Sequence, residues 1–412
     1  MKHQFYLFIT ALILMACNED YSNEIVENSE SKSTLISNGS NYSDASFLTK
    51  DYNGYPVLTW VEKEGKDNYL YCSASFDNGL TFGKPIKISV TKGLSSHHES
   101  MPKIAFKSNG TAVVVFQKRI PTPENQYAGV LLYSQLLKDG NKWSVPAYLH
   151  ADTSRGIGRS FFDIVQLPNG EVGAIWLDGR NKYKNGSSLY FAKTNDENGF
   201  DSEIQIGEKT CQCCRTDIYV DQEKNINVAY RDIINDSIRD VVHLVSPDLG
   251  NSFSSPSVIS EDNWVINGCP HSGPVITETS KGLDFFWFTR GQGEGVFHTS
   301  KAHKVESYKN RDLINPHARH PQAVSLPDDK IAIVWDESFK TNSSYCNRIG
   351  LLIKSKNGEQ NPVYITPDSV DASYPVILEL SDGNILVSWT QKEAGNSHVY
   401  FKYIFINNDL KS

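Results

Sequence analysis

The chain has 412 residues, of which 40 are lysine or arginine and 48 are aspartate or glutamate, so its formal net charge is −8. This acidic balance argues against nucleic acid as a partner, and any anionic ligand would need a local basic pocket. Aromatic residues make up 11% of the chain, and the sequence shows no long amphipathic helical pattern. The composition favours an all-β protein built from short strands and tight turns.

The first sixteen residues have the pattern of a secretory signal peptide. A positively charged start precedes an apolar run over residues 5–15, which is too short to span a membrane. The run ends in Leu14-Met15-Ala16-Cys17, which resembles a bacterial lipobox. The resemblance implies that residues 1–16 are removed and that Cys17 carries a lipid anchor. The alternative is an ordinary signal peptide with a chance cysteine.

A polar, acidic segment follows the lipobox. Residues 17–32 contain almost no large apolar side chain and are interpreted as a flexible tether. The segment continues with Asn18-Glu19-Asp20, which resembles the acidic signal of surface-exposed bacterial lipoproteins. We therefore expect a monomeric outer-membrane lipoprotein that faces the cell surface or the periplasm, with residues 33–407 as its folded domain.

A short apolar strand ends in an aromatic residue seven times along the rest of the chain. The spacing ranges from 48 residues (Trp287 to Trp335) to 60 residues (Phe116 to Trp176). The seven aromatics are Trp60, Phe116, Trp176, Tyr230, Trp287, Trp335 and Trp389. A repeat of this length, with turn residues before each strand, predicts a β-propeller of seven four-stranded blades, with six blades as the alternative.

The two ends of the chain are expected to close the ring. Residues 84–89 and 255–260 are predicted outer strands of the first and fourth repeats, whereas the seventh repeat stops near Phe405 without one. Residues 32–37 (KSTLIS) have the same character. We predict that this N-terminal strand completes the seventh blade, which would leave no open sheet edge.

Two repeats carry the motif S-x-D-x-G-x-x-F, at residues 75–82 and 246–253, and residues 195–200 look like a degenerate copy. The aspartate can accept backbone N–H groups across a turn, while the glycine permits a positive φ. The motif is similar to the Asp box of the sialidase-like propellers. The resemblance makes it a marker of the fold, on the outer hairpin of a blade, and not a catalytic motif.

The inner strand of each blade should begin at the mouth of the central channel, where propellers place their sites. The predicted starts lie in residues 97–106, 158–167, 213–221, 269–277, 319–326 and 372–380. Side chains that strand formation does not require collect there: His97, His98, Glu99, Arg159, Cys213, Cys214, Arg215, Cys269, His271, Arg319, His320 and Tyr374. Their convergence predicts a functional site; the alternative is that they fill the channel and bond to loop carbonyls.

Four cysteines lie at the starts of two adjacent blades, three of them within residues 211–214 and the fourth at Cys269. In an oxidising compartment we favour one or two disulfides between neighbouring rim loops. The alternative is a metal site made by thiolates of Cys213 or Cys214 and Cys269 with the imidazole of His271. We expect no other cofactor.

The arginines at the mouth favour an acidic glycan as the substrate. Arg159, Arg215 and Arg319 are suited to carboxylate or sulfate, because a guanidinium binds such groups through two parallel hydrogen bonds. His98 and Glu99 are further candidate binding residues. The expected substrate is a uronate-containing oligo- or polysaccharide, sulfated ones included.

The histidines and tyrosine at the mouth are candidate proton donors and acceptors. The layout resembles some seven-bladed polysaccharide lyases, which have His, Tyr and Arg at the channel mouth. The resemblance implies β-elimination by a lyase or a dehydratase. In that scheme His271 is the base, and Tyr374 or His320 is the acid.

Two other functions stay open. The Asp boxes favour an exo-sialidase, whose first carboxylate-binding arginine lies in an R-I-P motif ahead of the first box. Here Arg119-Ile120-Pro121 comes after that box, and we interpret it as the end of a strand. The other function is that of a non-catalytic lipoprotein that binds a glycan or a metal, with Trp264 and Tyr374 stacking on sugar rings.

Overall fold

The computed structural model describes residues 32–39, 41–181, 186–196, 199–341, 344–355, 358–359, 361–393 and 395–406. The predicted signal peptide, the lipidated Cys17 and the tether up to residue 31 lie outside these residues and stay predictions. Within the described ranges, no helix is long and apolar enough to cross a membrane. The helical elements found there are two short 3₁₀ turns, Ser89–Thr91 and Pro327–Asp329.

The chain forms seven antiparallel sheets, each of which is a blade of a propeller. Strand β1 (Thr34–Leu35) precedes the first complete blade. Blade one comprises β2 (Ser43–Lys50), β3 (Pro56–Glu64), β4 (Asp67–Ala74) and β5 (Ile86–Ile88), and blade two comprises β6 (Lys103–Phe106), β7 (Ala112–Arg119), β8 (Gly129–Leu136) and β9 (Ala147–Tyr148). Blade three comprises β10 (Arg159–Gln166), β11 (Val172–Asp178), β12 (Ser187–Lys193) and β13 (Ile204–Thr210), and blade four comprises β14 (Asp217–Val220), β15 (Ile226–Arg231), β16 (Val241–Ser246) and β17 (Ser257–Val258). Blade five comprises β18 (Val275–Thr279), β19 (Gly282–Thr289), β20 (Gly295–Ala302) and β21 (Asp312–Asn315). Blade six comprises β22 (Ala318–Leu326), β23 (Lys330–Lys340), β24 (Tyr345–Ser355), β25 (Gly358–Glu359) and β26 (Val363–Tyr364). Blade seven contains β27 (Asp371–Glu379), β28 (Ile385–Glu393) and β29 (Asn396–Ile404).

The inner strands form a closed ring around the channel. Strands β2, β6, β10, β14, β18, β22 and β27 each contact the next in this order, and β27 contacts β2. The prediction of an all-β, seven-bladed propeller is therefore confirmed, and the six-bladed alternative is wrong. The prediction overlooked β2, the inner strand of the first blade.

The N-terminal strand closes the ring as predicted. Strand β1 pairs with β29, with Thr34 opposite Phe401 and Leu35 opposite Tyr400. The Ile36 backbone N–H then donates to the Val399 carbonyl at 3.1 Å. The last blade is thus built from both ends of the folded domain, which removes its open edge.

The seven repeated aromatics lie on the second strand of each blade and form the core between blades. All seven are at most 1% exposed. In four blades the indole N–H donates to a side chain two residues further on, as from Trp60 to Glu62 at 2.9 Å and from Trp335 to Glu337 at 3.1 Å. In these four blades the repeat therefore encodes a buried aromatic together with a partner for its one polar atom.

The Asp boxes form the same turn in blades one and four. Asp77 accepts from the Thr81 N–H and hydroxyl at 2.8 and 2.5 Å, and Asp248 makes the same two bonds to Ser252 at 2.9 and 2.6 Å. The glycine of each box has a positive φ, 91° in the first and 80° in the fourth blade. Both boxes lie between the third and fourth strands of their blades, as predicted.

Candidate active site

Bulges at the start of the inner strands shape the channel mouth. In four blades the pairing of the first two strands skips two residues, and the first of the two has a positive φ. The four residues are Ala45 (φ 54°), Phe161 (φ 49°), His320 (φ 49°) and Tyr374 (φ 55°). His271 has a φ of 52° in the segment that precedes β18. Such conformations are uncommon for residues other than glycine, and bulges of this kind re-aim side chains at functional sites.

Five rings form a row at the channel mouth. The Tyr374 ring is stacked on His98 with centroids 4.2 Å apart, and it lies 4.4 Å from His320 on its other side. His97 continues the row 6.4 Å from His98 and contacts His271 at 5.4 Å. The structure therefore brings together all three predicted catalytic residues and His98 from four blades.

A buried carboxylate organises one end of this row. Both oxygens of Asp336 lie 2.9 Å from Nδ1 of His320, and Oδ2 accepts the Tyr374 backbone N–H at 2.7 Å. Burial lowers the pKa of His320, but the charge and hydrogen bond of Asp336 outweigh burial, so its pKa is raised. Burial and the charge of Asp336 raise the pKa of Tyr374 to about 12, so its phenol stays protonated at neutral pH.

Two of the other histidines in the row, His97 and His98, are held neutral. Burial, together with the charge of His271, lowers the pKa of His97 to about 4. Burial and the charge of His320 likewise lower the pKa of His98 to about 4. At neutral pH the row thus contains two neutral imidazoles that can accept a proton and a phenol that can donate one.

The Glu99–Arg215 pair lies beneath the row. Arg215 is 3% exposed, and its guanidinium donates to Glu99 Oε1 at 3.1 Å and to the Pro321 carbonyl at 2.8 Å. Glu99, 2% exposed, also accepts the Gly273 N–H at 3.2 Å. These contacts connect blades two, four, five and six. Both charged groups are therefore hydrogen-bonded inside the protein and are not exposed to a ligand.

Arg159 is also placed inside the protein. It is fully buried, and its Nε donates to Asp178 at 2.9 Å while Asp152 lies 3.3 Å away. Arg319, in contrast, is exposed, with its guanidinium 5.5 Å from the centre of the Phe288 ring. Of the three arginines predicted to bind an acidic group, only Arg319 is therefore open to solvent.

A large cavity opens beside the histidine row. Its volume is about 1080 Å³, and His97 and His271 line one wall. Arg119 and Arg155 also line it; both are exposed and, within the described residues, form no ion pair. Tyr127, 72% exposed, lies 5.8 Å from the Arg119 guanidinium. Glu124 and Asp152 also line the cavity, so its wall carries charges of both signs, among which Arg119 and Arg155 are unpaired cations.

Sequence analysis missed this wall of the cavity. Arg119 was interpreted as a strand end, and it is indeed the last residue of β7, but its side chain lines the cavity. Residues 120–128 connect the second and third strands of blade two, and residues 149–158 lead into blade three. Because successive strands run in opposite directions, both loops lie at the same end of the ring as the inner-strand starts. The alternation of strand direction, applied to the long segment after Arg119, would have predicted that this segment lies at the channel mouth and lines a pocket there.

The prediction for Trp264 is wrong. Its side chain is 6% exposed and packs edge to face on Phe288 with centroids 5.7 Å apart, beneath the guanidinium of Arg231. It belongs to the core between blades and cannot stack on a sugar. The exposed aromatic beside the cavity is Tyr127.

The cysteines are close together but unbonded. All six cysteines among the described residues are free, so the structure does not support the predicted disulfides. The Cys211 sulfur lies 3.7 Å from that of Cys213 and 3.5 Å from that of Cys214, well beyond bonding distance. The guanidinium of Arg239 donates to the Cys211 sulfur at 3.1 Å. Cys213 has a second neighbourhood, because its sulfur and donor atoms of Cys269 and His271 all lie within 4.8 Å of one another.

No family model matches the chain, and no curated protein matches it either. Solved structures with the same fold include a protein of unknown function from Dyadobacter fermentans, with a TM-score of 0.54 and 15% identity over 91% of this chain and 98% of that one. The polysaccharide lyase Uly1 has a TM-score of 0.54 and 12% identity over 89% and 90%. The NanB sialidase from Streptococcus pneumoniae has a TM-score of 0.50 and 12% identity over 92% and 70%.

These similarities define the class of the protein as a seven-bladed propeller with the fold shared by sialidases and a polysaccharide lyase. At such low identity they establish the fold alone.

Proposed function

We propose that the protein is a carbohydrate-active enzyme that cleaves acidic glycans by β-elimination, as a lyase or a dehydratase. The observation that carries the proposal is the row of imidazole and phenol side chains next to a cavity with two unpaired arginines. Two of the compared structures, a sialidase and a polysaccharide lyase, are carbohydrate-active, which supports the general class by analogy.

The cavity is suited to a uronate-containing oligosaccharide. Its volume of about 1080 Å³ exceeds what one monosaccharide requires. Arg119 and Arg155 can bind a carboxylate or sulfate through paired hydrogen bonds. Tyr127 offers an exposed ring for stacking on a sugar. A substrate-binding role for Arg319 stays a prediction, while the contacts of Arg159 and Arg215 favour a positioning role.

β-Elimination requires three groups. A base removes the proton from the carbon next to the carboxylate, the electron pair of that bond forms a C=C bond, and the departing glycosidic oxygen takes a proton from an acid. A guanidinium on the carboxylate stabilises the charge that develops. In this site the base is an imidazole of the His97–His271 pair, and the acid is Tyr374 with the His320–Asp336 pair behind it.

One observation favours elimination over a sialidase mechanism. A retaining sialidase needs a tyrosine nucleophile that is activated by a glutamate. The pKa of Tyr374 is raised to about 12 by burial and by the charge of Asp336, which suits a proton donor and not a nucleophile. The carboxylate of the nearby Glu99 already accepts hydrogen bonds from Arg215 and from the Gly273 N–H. Hydrolysis and binding without turnover remain the alternatives that the following test separates.

The first prediction concerns Tyr374→Phe and His97→Gln. Purified protein is incubated with a panel of uronate oligosaccharides, and the near-ultraviolet absorbance of the conjugated C=C bond is followed. We expect each substitution to lower kcat by about 100-fold or more, because each removes a proton-transfer group. Tyr55→Phe, in the β2–β3 turn at the opposite end of the ring, is the matched control and should leave the rate unchanged.

The outcomes distinguish the three functions. New reducing ends without the absorbance would show hydrolysis, and sialosides would be tested next. Oligosaccharide binding by calorimetry without any turnover in the parent protein would show a binding protein. Either result contradicts the elimination proposal.

A further inference from the structure

Cys213, Cys269 and His271 come from two neighbouring blades and meet on the wall of the cavity. Cys213 precedes β14 in blade four, whereas Cys269 and His271 precede β18 in blade five. One ligand atom from each residue lies within 4.8 Å of the other two. Cys213 is buried, and the other two side chains are exposed towards the cavity.

We propose that these three residues bind a zinc ion whose fourth coordination position opens into the cavity. Two thiolates and an imidazole are donors that Zn²⁺ prefers, and softer thiolate sites exclude Mg²⁺ and Ca²⁺. With Zn–S bonds of about 2.3 Å, two ligands of a tetrahedral ion lie roughly 3.8 Å apart. This separation is compatible with donor atoms that all lie within 4.8 Å of one another. Three protein ligands and one open position are the arrangement of zinc sites that bind water or substrate.

The backbone around His271 supports a ligand role. His271 has a φ of 52°, a conformation that is uncommon for residues other than glycine, and its ring lies next to two sulfurs. Strand formation gives no reason for this conformation, because β18 begins only at Val275. A requirement for the imidazole as a ligand at that place accounts for it.

A second group of thiols shares Cys213 with the proposed site. Cys211 and Cys214 are buried, and together with Cys213 they form a cluster of three sulfurs within 4.8 Å. That cluster has no exposed member, whereas the proposed site faces the cavity. Cys211 is held by Arg239 at 3.1 Å, so this cluster fixes the loop that presents Cys213. We therefore assign the ion to the group that includes Cys269 and His271.

The zinc site goes beyond the proposed function and does not depend on it. An ion on His271 takes that imidazole out of proton transfer and leaves His97, 5.4 Å away, as the neutral base of the pair. Failure of the zinc site would leave elimination with His97 or His271 as base. Failure of elimination would leave the zinc site intact.

The second prediction is that each chain binds one zinc ion and that this binding depends on the exposed ligands Cys269 and His271. The purified protein is stripped with a chelator under reducing conditions, reloaded with Zn²⁺ and analysed by mass spectrometry of the metal content. We expect Cys269→Ser and His271→Ala to weaken zinc binding by about 100-fold or more, since even partners outside the coordination shell contribute 10- to 100-fold. Cys346→Ser, which removes a half-buried cysteine in blade six, should bind as the parent does.

Cobalt gives a readout that does not depend on activity. Co²⁺ in the same site should show thiolate-to-cobalt charge-transfer absorption and the visible bands of tetrahedral coordination, and both should disappear in Cys269→Ser. A parent protein that binds no zinc after reduction overturns the proposal. So does a Cys213–Cys269 disulfide found by counting free thiols without reductant, or unchanged zinc binding in both ligand variants.

Discussion

The buried carboxylates at the channel mouth differ in how far their charge is compensated, because they have different partners. Asp336 is paired with a histidine, and Asp178 with two arginines, so their charges are compensated. Asp44 is 8% exposed on β2. Among the described residues, its side chain accepts hydrogen bonds only from the hydroxyls of Tyr42 at 3.1 Å and Ser96 at 3.3 Å. Burial therefore dominates, and the pKa of Asp44 is raised to about 6.

The third prediction follows from the sign of this shift. A carboxyl group whose pKa is higher in the folded state binds more protons when folded, so the free energy of unfolding decreases as pH rises from about 4 to above 6. We expect Asp44→Asn to remove this dependence. The variant should be more stable than the parent by about 3 kcal/mol at neutral pH, and the difference should nearly vanish near pH 4.

Urea unfolding of both proteins across this pH range measures the effect. Asp312→Asn, at an exposed aspartate in blade five, should keep the pH dependence of the parent. If the parent and the Asp44→Asn variant lost stability in parallel as the pH rises, the assignment of the pH dependence to Asp44 would be contradicted.

At the scale of the element, the Asp box joins neighbouring blades. Phe82 of the first box packs edge to face on Phe401 of blade seven at 4.9 Å, and Phe253 packs on Phe191 of blade three at 5.2 Å. The degenerate copy keeps this contact, since Phe200 packs on Tyr133 of blade two at 4.9 Å. The turn therefore presents an aromatic anchor to the preceding blade.

The fourth prediction is that Asp77→Ala destabilises the protein by about 1 kcal/mol, because the carboxylate accepts bonds from the backbone and side chain of Thr81. Thermal unfolding followed by circular dichroism measures the difference. Asp139→Ala is the matched control: Asp139 lies in the corresponding turn of blade two and, within the described residues, accepts no hydrogen bond. Equal losses in both variants would mean that the box contributes nothing specific.

At the scale of the whole molecule, stability depends on the closure of the ring. Strand β1 contributes its pairing with β29, the Ile36 bond to Val399, and the Ser37 hydroxyl, which accepts the Val399 N–H at 3.2 Å. Without it, the outer edge of β29 has unpaired backbone groups.

The fifth prediction compares two truncations. Removal of residues 1–37 should lower the free energy of unfolding by about 3 kcal/mol, from lost hydrogen bonds and burial of Ile36, and should promote association through the free edge. Removal of residues 1–31 keeps β1 and should leave stability unchanged. Denaturant unfolding and size-exclusion chromatography measure both effects. Equal stability of the two truncated proteins would show that the seventh blade closes without β1.

Much of the fold could be predicted because its signals are local and repeated. Each blade encodes its buried aromatic, its turns and, in two blades, an Asp box, and the missing outer strand of the last repeat pointed to residues 32–37. The strand β2 was overlooked because it precedes the first aromatic. The site was harder to predict, since a residue type indicates neither exposure nor partner: Arg159 and Arg215 are buried in ion pairs, whereas Arg119 lies free on the cavity wall.

The sequence by itself determined the architecture, the number of blades, the closure of the ring and the end of the ring at which polar side chains collect, because periodic burial is a property of the chain. Tertiary structure decided which of those side chains face a ligand. Bulges with positive φ place His320 and Tyr374 in the row of rings, and adjacent blades place Cys213 beside Cys269 and His271. These contacts join residues from different blades, and their distances depend on how whole sheets pack, which no local pattern in the chain records.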